Sequence, residues 1–239
     1  MIKIIVPATS ANFGPGFDCL GAAFCLFNEV YVEKHRSNYS VKWLNEQERI
    51  EPAQNYMLKA MKSLAASVKL PLPPYEITIG SCSIPRSRGL GSSSAAIIAG
   101  LLAANFLLNE PLAGNELVAL AIALEGHADN VVPCFFGGFQ ICPADHGRTH
   151  YFTLPVAENL KFTALIPPFS SSTKQARNIL PAQYSVGDVT YNIGQTALLT
   201  AGLMIGDKAL LGEAFGDRLH QPYRLPLIPD GEYVWNRCL

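Results

Sequence analysis

The sequence predicts an α+β protein of two domains, and three observations carry that prediction. Its 239 residues suffice for one large domain or two modest ones, each with enough interior to fold without staples. Up to about residue 155, strand-like alternation and helical spacing follow one another. The pattern changes between 154 and 159, which places a boundary between residues 1–155 and 156–239.

The elements follow in order. "IKIIVPA" reads as a first strand ending at Pro7, and "TSANFGPGFDCLG" as a loop of turn formers. "CLFNEVYVEKH" and "YSVKWL" give two more strands. Met57, Met61, Leu64 and Val68 recur at helical spacing in "NYMLKAMKSLAASVKL", which "PLPP" stops. "YEITIGSCSIP" alternates as a strand. A helix is expected from about Ser93 to Leu107, and a second in "NELVALAIALEGH", with Leu117, Leu120 and Leu124 on one stripe. "VVPCFFGGFQICPADHGRTHYFTLP" reads as a helical turn, a strand, a polar hairpin loop holding His146 and His150, and a return strand. Beyond the boundary, "LKFTALIPP" reads as a buried strand. "STKQARNILP", "DVTYNIGQTALLTAGLMIG" and "KALLGEAFG" read as helices, the last two needing cover for their leucine and alanine faces.

Composition narrows the function. A net charge of −1 with 15% charged residues gives neither the basic field of a nucleic-acid binder nor an acidic tail, so a small-molecule partner is expected. Six scattered cysteines without a C-x-x-C pair favour reduced thiols. No signal core opens the chain, and its longest apolar stretch is interrupted by Asn105, so neither a membrane nor secretion is expected and a cytoplasmic enzyme is the default.

Chemistry concentrates in "PRSRGLGSSSAA", residues 85–96. Ser92, Ser93 and Ser94 open a helix there, so unpaired backbone N–H groups and the positive end of the dipole face the loop, an arrangement suited to an anion. Gly89 and Gly91 allow close approach or positive φ. A capped helix after a turn explains the same residues without a ligand. The lysine of a P-loop is missing after Gly91, and position 19 breaks the dinucleotide pattern that starts at Gly14. The nucleophile elbow is missing as well, which disfavours a hydrolase. Phosphate charge would therefore fall to the dipole, to Arg86 or Arg88, and to a divalent cation held by a carboxylate, for which Glu125 is the candidate, with Ser93 as its hydroxyl partner.

"PATSANFGPGFDCLG" (7–21), "PRSRGLGSSSAA" (85–96) and "EGHADNVVPCFFGGF" (125–139) together resemble, in order and spacing, the signature segments of the homoserine kinase branch of the GHMP small-molecule kinases. "STKQARNILP" and "DRLHQPYRLPLIP" extend the resemblance to about residue 229. The resemblance implies a first domain of mixed strands and helices with a left-handed crossover, a ferredoxin-like second domain, here incomplete, and an active site between them. It implies ATP with Mg²⁺, L-homoserine as acceptor and O-phospho-L-homoserine as product, on the route to threonine; relatives often form homodimers. Pro85, Arg86, Ser87, Arg88, Gly89, Leu90, Gly91, Ser92, Ser93 and Ser94 would line the phosphates, Asn55 would meet the adenine, and Ser93 with Glu125 would hold magnesium. Asn12 and Asp18 would hold the amino end of homoserine, Arg177 and Arg224 its carboxylate, with His127 and Asn130 near the reacting hydroxyl.

Where many GHMP relatives place an aspartate base, this chain has Asn130, so positioning and electrostatics should dominate, the proton leaving to phosphate or solvent. Asp129 is expected to be a helix cap or structural. Homoserine kinases usually continue past "LIP" into a segment of the form G-A-x-x-S-G-A-G-P that this sequence lacks, and "EYVWNRCL" reads poorly as a helix end. The alternative expectation is therefore a truncated, catalytically weak or dead nucleotide-binding product of such a gene.

Overall fold

The computed structural model describes residues 1–143, 150–169 and 173–238. One mixed sheet organises it. β1 (Ile2–Ala11) pairs antiparallel along one edge of β2 (Leu20–Lys34), whose other edge is shared by β4 (Tyr75–Cys82) and β5 (Phe139–Ile141). β3 (Tyr39–Trp43) lies parallel to β4, and β6 (Phe152–Leu154) closes the order β3-β4-β2-β5-β6. A parallel pair needs a crossover, which α1 (Tyr56–Ser67) supplies.

Pro7 does not end the first strand. The pairing steps from Pro7↔Phe27 to Ala8↔Phe24, so Pro7 sits at a bulge, where a missing N–H is tolerated, and β1 runs on to Ala11. Asn55 caps α1 by accepting from Met57 N at 3.0 Å, and Met57, Met61 and Leu64 bury the stripe read from the sequence. α2 (Ser92–Leu107) is buried nearly all round, with Ile97, Ile98, Leu101 and Leu107 each at most 2% exposed. Gly100 lets it approach α1, because a Cβ there would collide with the Met57 carbonyl. Asn105, the polar interruption in that run, holds the turn to α3 (Gly114–Glu125) through both the N–H and the C=O of Leu112. α4 (Val131–Phe136) completes this layer.

Beyond β6 the described residues form only helices: α5 (Thr173–Asn178), α6 (Val186–Ile205), α7 (Lys208–Ala214), α8 (Gln221–Arg224) and α9 (Gly231–Cys238), with a 3₁₀ turn at Leu225–Leu227. The buried strand expected in "LKFTALIPP" is not formed. Residues 160–168 carry no strand, and Leu165 and Ile166 are 68% and 46% exposed. An apolar β-prone run becomes a strand only when a neighbour accepts its ladder, and no described segment pairs with it. "EYVWNRC" is helical, as α9.

The helices after the boundary share a core with the sheet. Leu199, Leu203 and Ala214 pack with Leu20, Ala22, Phe139 and Leu154, whereas Val186, Ile193 and Ile205 of α6 stay 83%, 66% and 67% exposed. No disulfide joins Cys19, Cys25, Cys82, Cys134 and Cys142, and burial pushes the thiols of Cys134 and Cys142 up to about 12. Among the described residues no helix is long and apolar enough to cross a membrane. His146 lies outside the described residues, and His150 is exposed.

Candidate active site

The Gly/Ser segment folds as a left-handed turn feeding a helix. Ser87, Gly89 and Gly91 all take positive φ, and Gly91, at +63°, is the N-cap of α2. Only glycine fits there for a second reason: a Cβ would collide with Thr9 Oγ1 and stand 3.1 Å from Asn130 Oδ1. Because no side chain caps this helix, its first N–H groups remain turned to the loop. Leu90 is buried in the main core and anchors the turn from beneath. Arg88 does not reach into the loop; its Nη1 donates to the Pro167 carbonyl at 2.7 Å. Arg86 is exposed.

Behind the turn, Ser93 Oγ and Ser94 Oγ both donate to Glu125 Oε1, at 2.5 and 3.0 Å. The Glu125 side chain is only 10% exposed, so α2 and α3 present two hydroxyls and a carboxylate as one group of hard oxygen donors. Such a group fits Mg²⁺, which takes one or two carboxylates and completes its shell with water and phosphate. Among the described residues no three or more His, Cys, Asp or Glu side chains are arranged to hold a metal ion by themselves, so a closed protein cage is not what this site offers.

Asp129 and His127 form the next layer. Asp129 is 1% exposed, and its Oδ1 lies 2.7 Å from His127 Nδ1; it caps no helix, since Asn130 occupies the N-cap of α4. That hydrogen bond raises the His127 pKa above its ordinary value, against the opposing effect of burial. His127 Nε2 points towards Glu125 Oε1, 4.0 Å away. Asn130 Oδ1 accepts from Thr9 Oγ1 at 2.8 Å, and the Thr9 backbone N–H donates to the Leu90 carbonyl at 3.2 Å. Thr9, fully buried, thus joins the glycine turn to Asn130. Nothing in its local sequence marks it beyond its place in the first segment.

The remaining predicted residues gather in a charged cluster. Asn12 and Asp18 both adopt positive φ, and Asn12 Oδ1 accepts from Asp18 N at 2.9 Å, closing the loop between them. Asp18 is paired with Arg177 through two bonds of 2.6 and 2.8 Å, although the two are 159 residues apart. The resemblance assigned them to opposite ends of an amino acid; here each is the other's partner, and the pair raises the Arg177 pKa. Arg224 donates Nε to the Ala176 carbonyl at 3.1 Å and, among the described residues, has no carboxylate in ion-pair range. Burial, then the nearby Arg177 charge, lowers its pKa. Arg224 therefore stands beside the Arg177–Asp18 pair without an ion pair of its own among the described residues, and Asp129 is close enough to act electrostatically on both guanidiniums.

Residues not singled out from the sequence hold this cluster in place. Asn192 Nδ2 and Thr196 Oγ1 on α6 each donate to the Pro15 carbonyl at 3.1 Å. His220 Nε2 lies 2.8 Å from the Gly14 carbonyl. Asp217 accepts from Asn192 Nδ2 and from the backbone N–H groups of 219, 220 and 221, fixing the turn that leads to Arg224. The signal is "DRLHQPYR" itself, in which the resemblance gives a task to Arg224 alone.

Asn55 stands apart from these clusters. Besides capping α1, it lines a groove of about 270 Å³ with Tyr39, Trp43, Leu58 and Tyr75. The α1 start touches α2 at Gly100, eight residues and roughly 12 Å along the helix from Ser92.

Comparison with known proteins bears on this geometry. The family model of the GHMP kinases N terminal domain matches residues 55–138. Homoserine kinase of Clostridium botulinum (strain Alaska E43 / Type E3) is 39% identical over 238 residues, covering 100% of this chain and 79% of the relative. That of Petrotoga mobilis is 39% identical over 241 residues, covering 100% and 78%. The crystal structure of homoserine kinase from Cytophaga hutchinsonii superposes with a TM-score of 0.81 at 30% identity, over 98% of this chain and 76% of that one. Streptococcus pneumoniae phosphomevalonate kinase, at 11% identity and a TM-score of 0.65 over 90% and 76% of the two chains, shares the fold alone.

Proposed function

The chain belongs to the homoserine kinase family of GHMP kinases, and from that premise we propose that it transfers the γ-phosphate of ATP to the side-chain hydroxyl of L-homoserine, giving O-phospho-L-homoserine. The proposal divides the work between 1–155, which handles the nucleotide, and 156–239, which supplies the arginines for the acceptor. It includes the cytoplasmic setting and homodimeric assembly expected of the family.

The α2 N-terminus meets the β- and γ-phosphates with backbone N–H groups and the helix dipole, Gly89 and Gly91 leaving the approach clear. Ser93 and Glu125 would hold Mg²⁺, which supplies charge neutralisation across the phosphates when bound. The groove beside Asn55 offers aromatic walls to a purine ring. Homoserine brings an ammonium, a carboxylate and a hydroxyl. Asp18, with Asn12 shaping its loop, takes the ammonium, and Arg224 with Arg177 takes the carboxylate through planar forks, so the substrate must insert between Asp18 and Arg177. His127, oriented by Asp129, and Asn130, oriented by Thr9, position the hydroxyl in line. The proton leaves to phosphate or solvent.

The observation that carries this reading is the half-buried group of two guanidiniums and one carboxylate, the complement of an amino-acid zwitterion, beside the serine-glutamate group at the helix start. The test is homoserine-dependent release of ADP by the purified protein, with the product identified by mass. The reading expects turnover that falls by at least about a hundredfold in Glu125→Gln, in line with the loss of one element of transition-state stabilisation. ATP binding without homoserine-dependent turnover would contradict it.

A further inference from the structure

Phe17 has no polar atom, and in a Gly/Pro loop it would ordinarily be a packing residue. Its neighbours are not those of a packing residue. The Arg224 Cζ lies 4.9 Å from its ring centroid and the Arg177 Cζ 5.7 Å. The His220 ring stacks on it at 5.3 Å with an interplanar angle of 28°. We propose that Phe17 is a positioning residue, its ring the platform that orients the guanidiniums of Arg177 and Arg224 towards the carboxylate of the amino-acid substrate.

The argument is electrostatic. Two guanidiniums brought together to bind one anion repel each other, and among the described residues only Arg177 has a carboxylate in ion-pair range. A second carboxylate beside Arg224 would hold it still but cancel the charge the substrate needs. The face of an aromatic ring attracts a cation without neutralising it and leaves the N–H edge of the guanidinium open for a planar, bidentate pair. The second ring in the stack respects the same balance. His220 is 4% exposed, tied to the Gly14 carbonyl, and burial lowers its pKa, so it adds no competing positive charge to Phe17. Asp18 follows Phe17 directly in the chain, so the residue that sets the arginines also sets the spacing between the two ends of the pocket.

The inference rests on the homoserine kinase reading, and one experiment separates their failures: steady-state kinetics and thermal midpoints of wild type, Phe17→Leu and Phe17→Tyr. Phe17→Leu keeps the apolar bulk and removes the π face, so the KM for homoserine should rise about tenfold, the size expected for lost cation–π contacts at a desolvated site, with kcat and the KM for ATP nearly unchanged. Phe17→Tyr keeps the face and should behave as wild type. If Phe17→Leu does not fold, Phe17→Met reads the same contrast. An unchanged homoserine KM in the folded leucine or methionine variant, or equal increases in both KM values, overturns the platform and leaves the function standing. No homoserine turnover in wild type overturns the function, and this inference with it.

Discussion

The two sides of the site are built on different plans. On the phosphate side, short hydrogen bonds join Thr9 to Asn130 and to the Leu90 carbonyl, and Ser93 and Ser94 to Glu125, all beside the buried start of α2. At Gly91 the turn has no room for a side chain. On the amino-acid side, residues 12–18, α5 and α8 meet across more than 150 positions of sequence, and what joins them is an ion pair, a ring and a guanidinium with no ion pair among the described residues. The first is a preformed cradle. The second, on the proposed reading, is a charged latch whose partners would exchange when a zwitterion enters. Catalysis by phosphoryl transfer asks for that division, since the phosphates must be held without reorganisation while the acceptor must be selected.

If this contrast is right, damage to each side separates in kinetics. The largest effect should come from Gly91→Ala, which places a Cβ against Thr9 Oγ1 and forces alanine to φ +63°. Turnover should fall by more than about a hundredfold, as for a lost oxyanion donor, while homoserine binding measured by calorimetry persists. Arg224→Gln should act oppositely. Removing one charge-assisted contact is expected to raise the homoserine KM about ten- to a hundredfold with the KM for ATP unchanged, as initial-rate kinetics would show.

A smaller effect is visible in stability against pH, because one histidine sits on each side. Burial lowers the His220 pKa below 6.5, so its contribution is present above about pH 6.5 and is lost as pH falls towards the folded value. The Asp129 hydrogen bond raises that of His127, so its contribution is present below about 6.5 and is lost as pH rises through the folded value. Denaturant melts across pH should show His220→Phe flattening the acid limb and His127→Asn flattening the other, and a swap of those two outcomes would break the assignment.

The same contrast explains what the sequence could show. The glycine turn and the serine start of α2 are local, so residue types at fixed spacing revealed them. The Met57, Met61, Leu64 stripe of α1 was legible for the same reason, whereas the capping of α1 by Asn55 was not read. The approach of Arg177 to Asp18 is fixed by tertiary packing, and only the family resemblance suggested that both serve one ligand. Thr9 and Phe17 gave no local sign, because a threonine in a strand and a phenylalanine in a loop have many ordinary uses. Residues 160–168 misled in the other direction: their β-prone apolar pattern is real, but a strand is made by its neighbour.

The claim on which the account depends most is that the serine-bearing start of α2 and Glu125 together carry the nucleotide where a P-loop would use lysine. The direct measurement is calorimetric titration of wild type and the Ser93→Ala, Glu125→Ala double variant with Mg·ATP and, separately, with homoserine. The account expects Mg·ATP affinity to collapse by at least about a hundredfold, as two charge-assisted contacts are lost, and homoserine affinity to stay within about twofold. Undiminished binding of Mg·ATP to the double variant would contradict it.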